Sequence, residues 1–418
     1  MTPHRQIRTE LFRRIDTYLE DMIDLQLRLT AIPALAPENQ GDGEAEKAAF
    51  LRAFLEESGF QHLIFLHAPD ERVLTGYRPN IIVRHSGKNK SKTLWILTHT
   101  DIVPPGELHL WNRNPYEGYV KDGHIFGRGT EDNQQDLVAS LFALKAFMDE
   151  NIIPEISVGL AFVADEETSS RMGVDYILNH KENPFRKDDL IVVPDSGVAD
   201  GTDIEIVEKS MLWLKFTITG AQCHGSRPSL GRNAFLAASR LVLELQKLHK
   251  VFSQRDRLFS PPESTFQPTR KEGNASSINT IPGEDTFYMD CRVLPRYDLQ
   301  KVMEEIRHRM DMVERLYEVT ADVFPVQQVQ APSPTPQNAP VISVLKRAIR
   351  DVYQVKGKPT GIGAGTVAAV FRKYGYNAAV WSKLEHHAHQ PNESCLIENM
   401  VGNAKVFAHM MLQKQTSR

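Results

Sequence analysis

Seven residues of this 418-residue chain are of the types that hold divalent cations or move protons, and each follows or ends an apolar run or precedes a helix. His99 and Asp101 follow WILT. Asp132 lies in GRGTEDN. Glu166 and Glu167 close LAFVADEE, Asp195 ends LIVVPD, and His389 lies in HHAHQPNE. Taken singly, each has a bland reading. His-x-Asp is commonly a surface loop, Glu-Glu a solvated helix start, and Asp before Ser-Gly a turn or N-cap. His389, with His386 and His387 beside it, fits an exposed loop. Taken together they form a metal-type donor set. Imidazole with carboxylate favours Zn²⁺, Co²⁺ or Mn²⁺ over Ca²⁺. Two such ions about 3.5–4 Å apart need a shared carboxylate. His99, Asp132, Glu167, Asp195 and His389 divide around Asp132 as the bridge, so that each ion takes one histidine and one further carboxylate. Glu166 is then left as a general base, and Asp101 orients His99 from behind.

These residues need a scaffold that brings strand ends together. TLWILTHTD (93–101), ISVGLAFVADEE (156–167) and LIVVPDSG (190–197) are apolar on both faces, as buried parallel strands are. Helical patterns cover 5–30, 44–58, 133–150 and 171–180. Strand and helix in alternation predict an α/β fold, a mostly parallel sheet with helices on both faces. In such sheets the site lies outside the carboxyl ends of the strands. The pattern changes near 209. MLWLKFTITG (211–220) alternates like a strand with one wet face. A helix over 232–249, strands over 275–281 and 285–293, a helix over 299–314 and a strand over 317–326 follow. That order is ferredoxin-like. The Pro-rich segment 326–340 reads as a return linker. The expected organisation is a catalytic domain in two parts, 1–208 and 324–418, interrupted by an inserted α+β domain at 209–323.

Composition narrows the class. Lys+Arg total 49 and Asp+Glu 53, a formal charge of −4, which speaks against a nucleic-acid face. No apolar run is long enough to span a bilayer, and the charged N-terminus lacks a signal-peptide core. Three cysteines without a CxxC pair fit a reducing cytoplasm. RKDD (186–189) reads as a solvated loop, and KNKSK (88–92) as a hairpin or loop tip rather than a nucleic-acid patch. GIGAGT (361–366) has no evident strand before it, which weakens a dinucleotide-loop reading. A helix start at Thr366 can offer backbone N–H groups to a substrate carboxylate.

The motifs HTD (99–101), GRGTEDN (127–133), DEE (165–167), PDSG (194–197), CHGSRP (223–228), NTIPGE (279–284) and HQPNE (389–393) span nearly the whole chain. In that order they resemble the M20 family of metallopeptidases and amidohydrolases. This resemblance implies that His99 and Asp195 hold one ion, Glu167 and His389 the other, and that Asp132 bridges them. It selects His389 over His386 and His387, and implies a cis peptide between Asp132 and Asn133. Glu166 would shuttle the proton and Asp101 would support His99. The inserted domain would be a lid that also dimerises the chain. His224 would stabilise the oxyanion, commonly in the partner subunit. Asn279, Arg292 and the Gly365-Thr366 turn would contact substrate.

The expectation is a hydrolase with two divalent ions, zinc first and cobalt or manganese as alternatives. It would cleave a small amide, with N-acyl (succinyl or acetyl) amino acids as the first choice. A dipeptidase or carboxypeptidase is the alternative. A non-catalytic scaffold on the same fold is the competing class, and its signature would be a missing ligand or base.

Overall fold

Apolar side chains on both faces of a strand are stable only where something covers both faces, and the first sheet meets that condition. The computed structural model describes residues 3–414. Eight strands form this sheet: β1 (Leu63–Pro69), β2 (Tyr77–His85), β3 (Asn89–His99), β4 (Ile156–Val163), β5 (Leu190–Gly197), β6 (Asp203–Glu208), β7 (Lys358–Ile362) and β8 (Ala378–Ser382). Their order is β1-β2-β4-β3-β5-β8-β6-β7. The central strands β4, β3, β5 and β8 run parallel. β1, β2 and β6 pair antiparallel at the flanks. Trp95, Leu97, Ile191, Val193 and Val380 pack with Val174, Ile177, Val367 and Phe371 from helices Val174–Asn179 and Val367–Lys373. Helices Gln135–Asp149, Pro340–Tyr353 and Ile397–Met411 also pack on sheet strands. Gly159 lies opposite Trp95, where a Cβ would sit 2.1 Å from the indole ring.

The chain divides into two compact units. The first comprises the chain up to Ile206, Thr335–Pro359 and the chain from Thr366 on. The second comprises Val207–Pro334 with Thr360–Gly365. In the second, strands Thr265–Lys271, Glu284–Val293, Ser210–Thr219 and Thr320–Val329 pair antiparallel in that spatial order. Leu212, Leu214, Phe216 and Ile218 point to a core shared with helices Ala234–Leu245 and Leu299–Tyr317. Trp213 and Lys215 alternate to the wetter face. This is the ferredoxin-like strand order. The fold class is therefore α/β, a mostly parallel sheet with an inserted α+β unit.

Several local expectations are corrected. The pattern over 5–30 forms two helices, Pro3–Thr17 and Leu19–Thr30, broken at Tyr18. The first strand of the inserted hairpin is Thr265–Lys271, not 275–281. Only Thr280–Ile281 of the expected run pairs, with Cys223–His224. Pro268 sits in an edge strand at a register shift, where proline is tolerated, and so hides the strand from a pattern search. Helix 232–249 splits into Ala234–Leu245 and Leu248–Val251. The last inserted strand runs to Val329, into the expected linker. A strand does lead into GIGAGT: β7 ends within it, at Ile362. Asp189 of RKDD is buried, accepting hydrogen bonds from Trp95 Nε1 (2.8 Å) and the Thr93 N–H (2.8 Å).

Candidate functional site

The carboxyl ends of β4, β3, β5 and β8 lie side by side, so one edge of the sheet gathers the residues at and just beyond the end of each strand. His99 is the last residue of β3, and Asp195 lies in β5. Glu166 and Glu167 come a few residues after β4. The loop after β8 carries His389. Asp132 comes from the turn before helix Gln135–Asp149, where the Asp132–Asn133 peptide is cis. Gly129 starts that turn at φ 86°, a backbone region glycine enters freely, and a Cβ there would meet Ile102 at 2.6 Å.

Asp132 faces two histidines with different oxygens. Its Oδ1 lies 2.9 Å from His99 Nε2, which is also 3.2 Å from Asp195 Oδ1. Its Oδ2 lies 3.2 Å from His389 Nε2, which is 3.3 Å from Glu167 Oε2. Bonds of about 2.0–2.1 Å to a tetrahedral cation separate its ligand atoms by about 3.3 Å, so both groups have the spacing of a ligand shell. His99, Asp132 and Asp195 form one group that can hold an ion, and Asp132, Glu167 and His389 another. Glu167 Oε1 is buried and accepts no hydrogen bond among the described residues, as expected of an atom reserved for a cation.

The electrostatics agree with that fit. Burial, then the neighbouring Asp195 carboxylate, pushes Glu166 well above the ordinary carboxylate range. Burial and Asp132 push Glu167 to about 7. Burial acts to raise Asp132, but the contacts with His389 and His99 outweigh it and hold it low. Asp132 and Glu167 raise His389 to about 10. Burial disfavours a charged His99, yet Asp101, Asp132 and Asp195 raise it well above its usual value.

Asp101 supports both sides. Its carboxylate lies 3.5 Å from His99 Nδ1, and its main-chain oxygen 3.0 Å away. The same carboxylate accepts the Glu166 and Glu167 N–H groups at 3.1 and 3.0 Å. The Glu166 carboxylate accepts no hydrogen bond among the described residues; it lies in a group with His99 and Glu167.

Several supports escape sequence reasoning. Asn133 Oδ1 accepts the His99 N–H at 3.1 Å, and its Nδ2 donates to Pro194 O (3.1 Å) and Asp195 Oδ1 (3.2 Å), tying two ligand-bearing strand ends. Glu44, paired with the buried Arg78, accepts the Asp165 N–H at 3.2 Å and so holds the turn that aims Glu166. Lys47 is buried in the field of Asp101, Glu44 and Glu393, and burial lowers it to about 8. A signal existed for Lys47: with Leu51 and Leu55 it repeats every fourth residue on the buried face of helix Ala45–Glu57. Asn133 and Glu44 sit in segments whose long-range partners no local pattern reveals.

The remaining candidates lie in the second unit, Thr366 excepted. His224 is exposed; its Nδ1 accepts from the Ser226 N–H (3.1 Å) and contacts the Ser226 hydroxyl (2.8 Å). Nε2 makes no hydrogen bond among the described residues. Strand pairing sets His224 against Thr280, and Asn279 O accepts the Gly225 N–H at 2.6 Å, so His224 and Asn279 are neighbours. Arg292 is engaged on all three nitrogens, by Asp290 (2.8 and 3.1 Å) and by Gly363 O (2.9 Å). Gly365 is exposed in the second unit. Thr366, in the first unit, caps helix Val367–Lys373, its Oγ1 accepting the Ala368 N–H at 3.2 Å.

Known proteins share both the sequence pattern and the fold. Residues 95–413 match peptidase family M20/M25/M40. An uncharacterized metallohydrolase of Methanocaldococcus jannaschii is 40% identical over 407 residues, covering 94% of this chain and 99% of that protein. A succinyl-diaminopimelate desuccinylase of Acinetobacter baylyi is 24% identical over 398 residues, covering 94% and 98%. The di-peptidase Dug1p of Saccharomyces cerevisiae has a similar fold, with a TM-score of 0.71 at 17% identity over 97% of this chain and 98% of that one.

Proposed function

The chain belongs to peptidase family M20/M25/M40 and is a metal-dependent amidohydrolase or peptidase, and on that footing we propose a two-cation hydrolase of N-acyl amino acids. The observation that carries the two-cation reading is Asp132, which offers one oxygen to the His99 and Asp195 group and the other to the His389 and Glu167 group. In this reading those five residues are the ligands, Zn²⁺ is the first choice of ion, and Co²⁺ or Mn²⁺ are alternatives. Bound cations supply Lewis acidity: they polarise an amide carbonyl and acidify water.

The chain's own residues do the rest. Glu166 takes a proton from the attacking water and passes it to the leaving amine nitrogen. Its unbonded carboxylate and raised proton affinity support that role. Asp101 keeps Glu166 and His99 in place. His224 Nε2, held by the Ser226 contacts to Nδ1, donates to the carbonyl oxygen as charge develops. Asn279, Gly365 and Thr366 are proposed substrate contacts. Arg292 takes a substrate carboxylate in competition with Asp290.

An N-succinyl or N-acetyl amino acid is the proposed substrate, supported by the desuccinylase relative. A panel of N-succinyl and N-acetyl amino acids and dipeptides, with added Zn²⁺, Co²⁺ or Mn²⁺, tests it. Faster turnover of the acyl amino acids is expected. Preference for dipeptides would replace deacylation by peptidase activity, and no amide hydrolysis with any of the ions would overturn the enzyme reading.

A homodimer through the inserted unit is part of the proposal. Its edge strands Thr265–Lys271 and Thr320–Val329 and the exposed Phe235, Leu236 and Leu243 support it. Light scattering at micromolar concentration gives the answer: a monomer rules out His224 acting on a partner's site. No helix among the described residues is long and apolar enough to cross a membrane. The cysteines Cys223, Cys291 and Cys395 are unpaired, which supports a cytoplasmic setting.

A further inference from the structure

We propose that Glu131 and Glu393 form a reciprocal clasp that positions Asp132 and His389 relative to each other and thereby sets the affinity for the cation on the His389 side. This rests on the reading of Asp132 and His389 as ligands. The two glutamates lie on different loops. Glu131 directly precedes Asp132, and Glu393 lies four residues after His389. Each carboxylate serves the other's loop. Glu393 Oε1 accepts the N–H groups of Glu131 (2.9 Å) and Asp132 (3.1 Å), and its Oε2 accepts from the Gly129 N–H (3.1 Å) and Arg128 Nη1 (2.6 Å). Glu131 Oε1 accepts the Glu385 N–H (2.6 Å), and its Oε2 accepts the N–H groups of His387 and Ala388 (2.9 Å for Ala388).

Both carboxylates are buried, at 2% and 0% exposure, so neither has water in place of these donors. The His389 loop needs such a hold. His386, His389 and Asn392 all have left-handed backbone conformations (φ 65°, 62° and 60°), which non-glycine residues adopt at a cost and keep only when their surroundings impose it. His389 itself is more than half exposed, so packing alone does not fix its ring. The clasp converts a strained, open loop into a ligand of defined position. Because it runs between the loops, its loss is felt most where they share a cation, not in the sheet below.

Glu131→Gln, Glu393→Gln and the double variant test this, with the wild-type protein as control. Each is freed of metal and titrated with Co²⁺ by calorimetry and visible absorption, and the melting temperature of each metal-free protein is recorded. The wild type is expected to bind two Co²⁺ per chain. In each single variant one site weakens by about 10–100-fold with an altered absorption spectrum, the other keeps its affinity, and the metal-free melting temperature stays within a few degrees. In the double variant the loss is less than the product of the single losses, since the two residues serve one contact. Unchanged affinities at both sites in folded variants overturn the proposal. So does loss of the metal-free fold in both single variants, which assigns the pair to stability. A wild type that binds fewer than two Co²⁺ removes the two-cation reading and the clasp with it, and is told apart from failure of the clasp alone by that control.

Discussion

The surroundings of Asp132 and those of His224 are built in opposite ways. Around Asp132 the candidate groups are buried or half-buried, His389 excepted, and main-chain donors are assigned to carboxylates in advance: Asp101 takes two N–H groups, and Glu393 takes three. Around His224 the side chains are exposed, and among the described residues the ring is held only from two residues away, by Ser226. The Asn279 side chain likewise bonds, among the described residues, only the Ser277 and Thr280 hydroxyls, at 2.6 and 3.5 Å. In the proposed chemistry, the contrast separates the part that is prepared before substrate arrives from the part that is not. Gathering five carboxylates against their mutual repulsion requires a scaffold organised beforehand. A group that touches only the developing charge on a substrate needs an oriented ring and an open face.

The severest test of this contrast is Glu166→Gln. It should lower kcat by roughly 10²–10⁴-fold while two Co²⁺ still bind, measured by steady-state kinetics and metal analysis. Near-normal turnover would remove Glu166 from the mechanism. His224→Ala comes next. A loss of roughly 10²–10³-fold in kcat with unchanged metal content is expected of an oxyanion donor. A change in metal content instead would mean that the two regions are not separable.

Lys47→Met probes how dry the region beneath the cluster is. The folded-state value of about 8 lies below the ordinary 10.5, so between these values the unfolded chain binds the proton and the folded chain does not. Stability from this group therefore rises with pH across that window and is absent below it. Relative to Lys47→Met, the metal-free wild type should gain on the order of 3 kcal/mol between pH 8 and 10.5, read by chemical denaturation. A flat difference would show that Lys47 is solvated. Ser226→Ala should have the smallest effect, lowering kcat by roughly 2–10-fold through loss of a neutral hydrogen bond to the His224 ring. No change would show that the ring is oriented by substrate alone.

Legibility in the sequence divides along the same line. TLWILTHTD and LIVVPDSG disclose buried parallel strands through their apolar runs, and the residues at their ends do meet. His389 is harder, since His386 and His387 share its loop and only the spacing to Asn392-Glu393 separates them. Thr265–Lys271 is hidden by Pro268 and polar neighbours, because an edge strand needs no apolar pattern. Glu131 reads as one more acid in a polar turn. Its role depends on the main chain of residues 385–388, more than 250 positions away, and nothing local encodes that meeting. Thr360–Gly365 joins the inserted unit for the same reason: its partners, such as Leu258 and Lys209, are distant in sequence.

The proposed chemistry stands or falls on two cations sharing Asp132. Crystals of the zinc-loaded protein, measured at the zinc absorption edge, decide the point. Two anomalous peaks about 3.5–4 Å apart should flank Asp132, one against His99 and Asp195, the other against Glu167 and His389. A single peak, or two that do not share Asp132, would contradict it.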